Sequence, residues 1–286
     1  MQIVHTSAAL KNSLKDYTQI ALVPTMGNLH AGHLQLVELA KQQAECVVVS
    51  IFVNPLQFDS ATDLEKYPRT LTADCKLLEM LGVSIVFAPS IEEMYPDIDG
   101  QSLNQSMIVM PPPIASELCG ASRPGHFAGV ATVVAKLFNV VQPHVAVFGK
   151  KDFQQLFIIR ALVKQLSYAI TIIAGDIVRE SSGLAMSSRN VHFNTQQVAQ
   201  AAQLNQALRS AVEAVQLCQA DFATIENQTA EQLRKQGWQI DYISIRDVLS
   251  LQPATKNDTQ LVILAAATLA SIRLIDNIEF CAKPFN

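Results

Sequence analysis

A chain of 286 residues that is 49% apolar and 16% charged is long enough for one or two packed domains and too apolar for disorder. Its formal charge of −4 gives no electrostatic case for nucleic acid or an anionic membrane surface, so any phosphate binding has to be local. Five scattered cysteines (Cys46, Cys75, Cys119, Cys218, Cys281) lack CxxC spacing, residues 1–6 lack the basic and apolar regions of a signal peptide, and the apolar run at 261–267 is too short to span a bilayer; these features argue against a disulfide framework, a zinc site or a membrane span and favour the cytoplasm.

In chain order, nearly continuous apolar runs at 20–24, 46–53, 84–89, 145–149 and 169–175 read as strands buried on both faces. Helical patterns fall between them, at 33–44, 70–81, 127–141 and 152–167. This alternation predicts an α/β, Rossmann-like parallel sheet with helices on both faces, whose ligands bind at the carboxyl ends of the strands, where His30, Asn54, Gln57 and Lys151 fall. After residue 175 the rhythm changes to a loop at 178–190, two helical segments at 196–218 and 221–236, and strands at 240–246, 260–269 and 272–280. Strands joined by short links are expected to pair antiparallel. We therefore expect a first domain over 1–176 and a smaller C-terminal α+β domain over 177–286, with the three prolines at 111–113 as a stiff connector.

Five stretches carry candidate chemistry. Pro24-Thr25-Met26-Gly27-Asn28-Leu29-His30-Ala31-Gly32-His33 is a strand, a glycine turn and a helix start, with two imidazoles placed where free N–H groups and the helix dipole favour an anion; two solvated loop histidines are the plain alternative. Asn54 and Gln57 emerge where the second strand stops; amides suit a ligand with hydroxyl and carboxylate groups, although taken alone Asn-Pro turn chemistry is the better explanation of them. Arg123 and His126 lie on a glycine-containing loop before an apolar helix, as an anion clamp or as a solvated helix start. Gly149 ends a strand before Lys150, Lys151 and Asp152, where a lysine suits phosphate and Asp152 suits a helix N-cap; Gln155 lies one turn further. Finally, Met186-Ser187-Ser188-Arg189-Asn190 combines hydroxyls with a guanidinium, good phosphate ligands on a loop able to close over a nucleotide, or simply a surface turn.

Together with YPRT at 67–70, RPGHFAGVATVVAKLF from 123, VFGKKDFQQL from 147 and GLAMSSRN from 183, these motifs make the chain resemble the pantothenate synthetase (pantoate–β-alanine ligase) family of HxGH nucleotidyltransferases. The match is in motif order through residue 190, and beyond it only the layout agrees. The resemblance implies ATP-dependent condensation of (R)-pantoate with β-alanine through a pantoyl adenylate, releasing AMP and pyrophosphate, with Mg²⁺, a homodimer in the cytoplasm, and the C-terminal domain as a lid. It implies that Pro24, Met26, His30, His33, Gly149, Lys151, Asp152, Val178, Met186, Ser187, Ser188 and Arg189 serve ATP, with His30, His33, Lys151, Ser187, Ser188 and Arg189 as the catalytic set. Pantoate falls to Gln57 and Gln155, with Asn54, Arg123 and His126 beside them. Asp74 is the implied metal contact, although Ala73 stands where family members often carry an acidic residue, and Asn28 replaces a usual alanine. Another HxGH nucleotidyltransferase acting on a phosphate ester is the alternative, which neutral amides at 54, 57 and 155 argue against. A non-catalytic nucleotide-binding module is a second alternative, and an oxidoreductase a weaker one because GxGxxG is lacking.

Overall fold

The computed structural model describes residues 1–58, 61–96 and 107–282. Two compact units divide the chain: Met1–Lys150 with Gln155–Asp176, and Lys151–Gln154 with Ile177–Asn286. In chain order the strands of the first unit are β1 (Gln2–Val4), β2 (Ile20–Thr25), β3 (Cys46–Ile51), β4 (Ile85–Phe87), β5 (Val145–Gly149) and β6 (Thr171–Gly175). The helices are α1 (Ser7–Ser13), α2 (Ala31–Lys41), α3 (Ala61–Lys66), α4 (Leu71–Met80), α5 (Ile91–Met94), α6 (His126–Val141) and α7 (Phe153–Gln165).

Every pairing in this sheet is parallel, in the order β1-β4-β3-β2-β5-β6. Side chains alternate across each strand, so β2 sends Ile20 and Leu22 into a core built with α1, α6 and α7, and Ala21 and Val23 into another built with α2 and α4. Both faces are therefore covered, which is why β2, β3 and β5 read as unbroken apolar runs. From β2 the chain builds outward through β3 and β4, then returns to add β5 on the other side. The topological switch point lies between β2 and β5, whose carboxyl ends are followed by Met26 and Lys150; in open α/β sheets ligands bind at such points.

The second unit holds α8 (Thr195–Ala201), α9 (Gln203–Gln216), α10 (Phe222–Lys235) and an antiparallel sheet β7 (Gln239–Asp247), β8 (Gln260–Leu269), β9 (Ile272–Cys281). Leu204, Leu208 and Leu233 pack with Ile245, Ile263 and Leu274 in its core; burying each such side chain contributes about 1.5–3 kcal/mol. The single helical pattern expected over 196–218 is two helices that meet at Ala202. The loop expected over 178–190 contains a small hairpin, bridged between Arg179 and Ala185, and a 3-10 turn from Ser188 to His192.

Candidate active site

The histidine turn is shaped by groups that lie far along the chain. β2 ends in Thr25, whose hydroxyl donates to the Ser50 carbonyl (2.8 Å) and accepts from the Gly27 N–H (3.2 Å). Gly27 (φ 81°) and Asn28 (φ 53°) then turn the chain through two left-handed residues. Glycine does this without strain and asparagine is among the side chains that best tolerate it, so Asn28 fits its position better than alanine would. The buried Asp74 carboxylate, on α4, accepts the N–H groups of Asn28 (3.0 Å) and Leu29 (2.9 Å) and the Thr70 hydroxyl (2.9 Å).

His30 is the N-cap of α2: its Nδ1 accepts the Gly32 N–H (3.1 Å), and His33 Nδ1 in return accepts the His30 N–H (3.3 Å). The ring centroids lie 4.1 Å apart. A ring that accepts at Nδ1 carries its neutral-state proton on Nε2. Both imidazoles are thereby set as Nε2–H donors. Of the backbone N–H groups at this helix start, those of His30 and Gly32 are held by the two rings.

Beside the turn, Met26 Sδ lies 2.9 Å from Gln57 Nε2. Asn54 and Gln57, both buried, belong to one network with the loop before α6. Asn54 Nδ2 donates to Gln57 Oε1 (3.0 Å) and to the Gly129 carbonyl (3.1 Å), while Oδ1 accepts from the Leu56 N–H (3.3 Å) and the Tyr95 hydroxyl (2.7 Å). The Gln57 carbonyl accepts from Arg123 Nη2 (3.1 Å) and sits 2.8 Å from His126 Nδ1. Asn54, Arg123 and His126, expected as ligand contacts, thus have protein partners that fix Gln57. α6 approaches this turn so closely that a Cβ on Gly129 would lie 2.2 Å from the Leu56 carbonyl oxygen and 2.8 Å from the Gln57 nitrogen. Gly129→Ala is expected to cost about 1–3 kcal/mol by overpacking and to displace Gln57; calorimetric melting and a crystal structure of the variant check both effects.

In the second unit, Lys151, Ala185, Ser187, Asn205 and Asp276 line one cavity. The Lys151 carbonyl accepts from Asn277 Nδ2 (3.0 Å). Val178 and Met186 are joined across the hairpin by the Met186 N–H to the Val178 carbonyl (2.9 Å), so the two residues expected to flank adenine are neighbours. Ser187 caps the 3-10 turn by accepting the Arg189 N–H (3.3 Å), Ser188 opens that turn, and Arg189 Nη1 donates to the Arg273 carbonyl (3.2 Å). Pro24 lies half-buried at the end of β2, Gly149 closes β5, Asp152 is exposed in the 3-10 turn before α7, and Gln155 lies in the first turn of α7.

The family model described as pantoate-beta-alanine ligase matches residues 2–279. This chain belongs to that family. A pantothenate synthetase of Methylobacillus flagellatus is 57% identical over 98% of this ligase and 99% of its own length, and one of Thiobacillus denitrificans is 51% identical over 98% and 97%. Among solved structures, the pantothenate synthetase of Thermus thermophilus superposes with a TM-score of 0.89 at 40% identity, covering 97% of this ligase and 99% of that chain. The pantoate-beta-alanine ligase of Francisella tularensis, whose structure is a complex with beta-gamma ATP and beta-alanine, gives a TM-score of 0.80 at 34% identity over 97% of each chain.

Among the described residues no group of three or more His, Cys, Asp or Glu could hold a metal ion. Asp74, the expected metal contact, uses both carboxylate oxygens to hold the histidine turn. Sequence reasoning also missed Tyr95, whose partner Asn54 lies 41 residues earlier, and the Asp276–Asn277 pair that faces Arg179 and Lys151.

Proposed function

We propose that this ligase joins (R)-pantoate to β-alanine, with ATP cleaved to AMP and pyrophosphate by way of a pantoyl adenylate. The observation that carries this reading is the family match over almost the whole chain, with neutral amides beside the imidazole pair where a phosphorylated acid would call for more cations. The ATP and β-alanine components are supported by the Francisella tularensis complex.

In the first step a pantoate carboxylate oxygen attacks the α-phosphorus of ATP, the bond to the bridging oxygen breaks, and pyrophosphate leaves. The carboxylate is already ionised at neutral pH, so the step needs no general base. Positioning and charge neutralisation do the rest. His30 and His33 donate Nε2–H to phosphate oxygens, Lys151, Ser187, Ser188 and Arg189 neutralise the triphosphate, Val178 and Met186 flank adenine, and Asp152 serves the ribose. Pro24, Met26 and Gly149 line the nucleotide, while Gln57 and Gln155 hold pantoate on a frame of Asn54, Arg123 and His126. Mg²⁺ would enter with ATP and supply positive charge to the triphosphate, with Asp74 as the protein contact that the family resemblance implies. In the second step the neutral amine of β-alanine attacks the activated carbonyl, loses a proton, and AMP leaves.

Labelled oxygen in the pantoate carboxylate is expected in AMP; its appearance in inorganic phosphate would replace the adenylate with an acyl phosphate. ATP–pyrophosphate exchange that requires pantoate, and does not respond to a phosphate ester, separates this activity from that of other HxGH nucleotidyltransferases. The homodimer and the cytoplasmic setting rest on the family resemblance, together with five free thiols and, among the described residues, no helix long and apolar enough to cross a membrane. Sedimentation at several concentrations tests the dimer.

A further inference from the structure

We propose that Tyr95 is a positioning residue for pantoate, acting through Asn54 to hold Gln57 with its N–H edge turned toward the substrate. The inference rests on the reading of Gln57 as a pantoate contact. Tyr95 follows α5 and is 2% exposed, with its ring 6.1 Å from that of Phe52 and the Lys136 ammonium 5.6 Å from its centroid. Its hydroxyl donates to Asn54 Oδ1 at 2.7 Å, the shortest bond Asn54 makes. With Oδ1 accepting twice and Nδ2 donating twice, the Asn54 amide is satisfied on both ends and has one orientation.

That orientation determines what Gln57 can present. Asn54 Nδ2 takes Gln57 Oε1 as its acceptor, so the other end of the Gln57 amide, Nε2, lies on the Met26 side, next to the histidine turn. Nε2 gives one N–H to Met26 Sδ (2.9 Å), and its second N–H is the donor a ligand there would meet. Pantoate's carboxylate and hydroxyl oxygens can accept from it, whereas an ammonium or an N–H group cannot. Burial pushes the Tyr95 phenol well above its ordinary value, so it stays protonated and donating across the working range of an enzyme. The chain Tyr95–Asn54–Gln57 therefore converts a buried hydroxyl into substrate selectivity without touching the substrate.

The test compares steady-state constants for Tyr95→Phe, Gln57→Ala and the double variant. Tyr95→Phe keeps the ring and is expected to raise the KM for pantoate about three- to tenfold, the factor carried by one neutral hydrogen bond, with kcat and the KM for ATP unchanged. Gln57→Ala raises the same KM, and on that background Tyr95→Phe adds nothing, because the two act in series. Loss of any Gln57→Ala effect would remove the pantoate reading itself. A Gln57→Ala effect with Tyr95→Phe silent, a multiplied effect in the double variant, or a parallel rise in the KM for ATP overturns the role given to Tyr95. Should Tyr95→Phe not fold, Asn54→Asp supplies the same comparison: it keeps the acceptors toward Tyr95 and Leu56 but sets an acceptor against Gln57 Oε1, and it is expected to weaken pantoate binding selectively, with no selective loss counting against the proposal.

Discussion

Replacing His33 with alanine is expected to slow adenylate formation by about 10²- to 10³-fold, the loss that follows removal of one preorganised donor to a developing negative charge. The ring has two duties, and they are separable by measurement. Through Nδ1 it caps the His30 N–H at the start of α2. Losing a cap costs about 1 kcal/mol, which in a chain of this size moves the melting temperature by only a few degrees. Through Nε2 it offers the N–H assigned here to phosphate. Single-turnover rates at saturating ATP and pantoate, read beside calorimetric melting, should therefore show a large kinetic loss and a small thermal one. A variant that melts lower yet keeps its rate would reduce His33 to a cap.

The second large effect is on stability. Arg179 binds Asp276 through both nitrogens, at 2.7 and 2.9 Å, with the Asp276 side chain 3% exposed. The same guanidinium donates to the Gly183 and Asn277 carbonyls, and Asn205 donates to Asp276 Oδ2 (3.1 Å) while accepting from Arg209 Nε (2.9 Å). Asp276→Asn leaves a largely buried cation without its counter-charge and is expected to lower stability by about 3–5 kcal/mol. Urea unfolding checks it. The paired replacement Arg179→Met with Asp276→Leu is expected to recover much of the loss, since it removes both charges at once. Because Asn277 adjoins Asp276 and holds the Lys151 carbonyl, the single variant is also expected to lose activity, and the paired one to regain part of it.

The long strands were legible because both faces of each are buried, which writes an uninterrupted apolar run into the sequence at β2, β3 and β5. β1 was not, since three residues at a sheet edge, paired only with β4, carry no periodicity to detect. The short helices α1, α3 and α5 were missed for the same lack of length. At the site, HxGH and the amides stood out because they interrupt apolar patterns at strand ends. Asp74 and Tyr95 did not, because their roles come from pairings made 46 and 41 residues away, which local spacing does not encode. The resemblance that implied a metal contact for Asp74 did not indicate that its oxygens also hold the turn. Nor could periodicity separate α8 from α9, which meet at Ala202 with no glycine or proline to mark the junction.

The reciprocal cap at the start of α2 sets two selective pressures against each other at one position. Aspartate, asparagine or serine at residue 30 would close the helix end as well as histidine or better. None carries a ring whose far side can donate while its near side accepts. On the proposed reading of His30 as a phosphate donor, stability and turnover favour different residues at position 30, a trade-off of the kind that holds natural enzymes below the stability their scaffold allows.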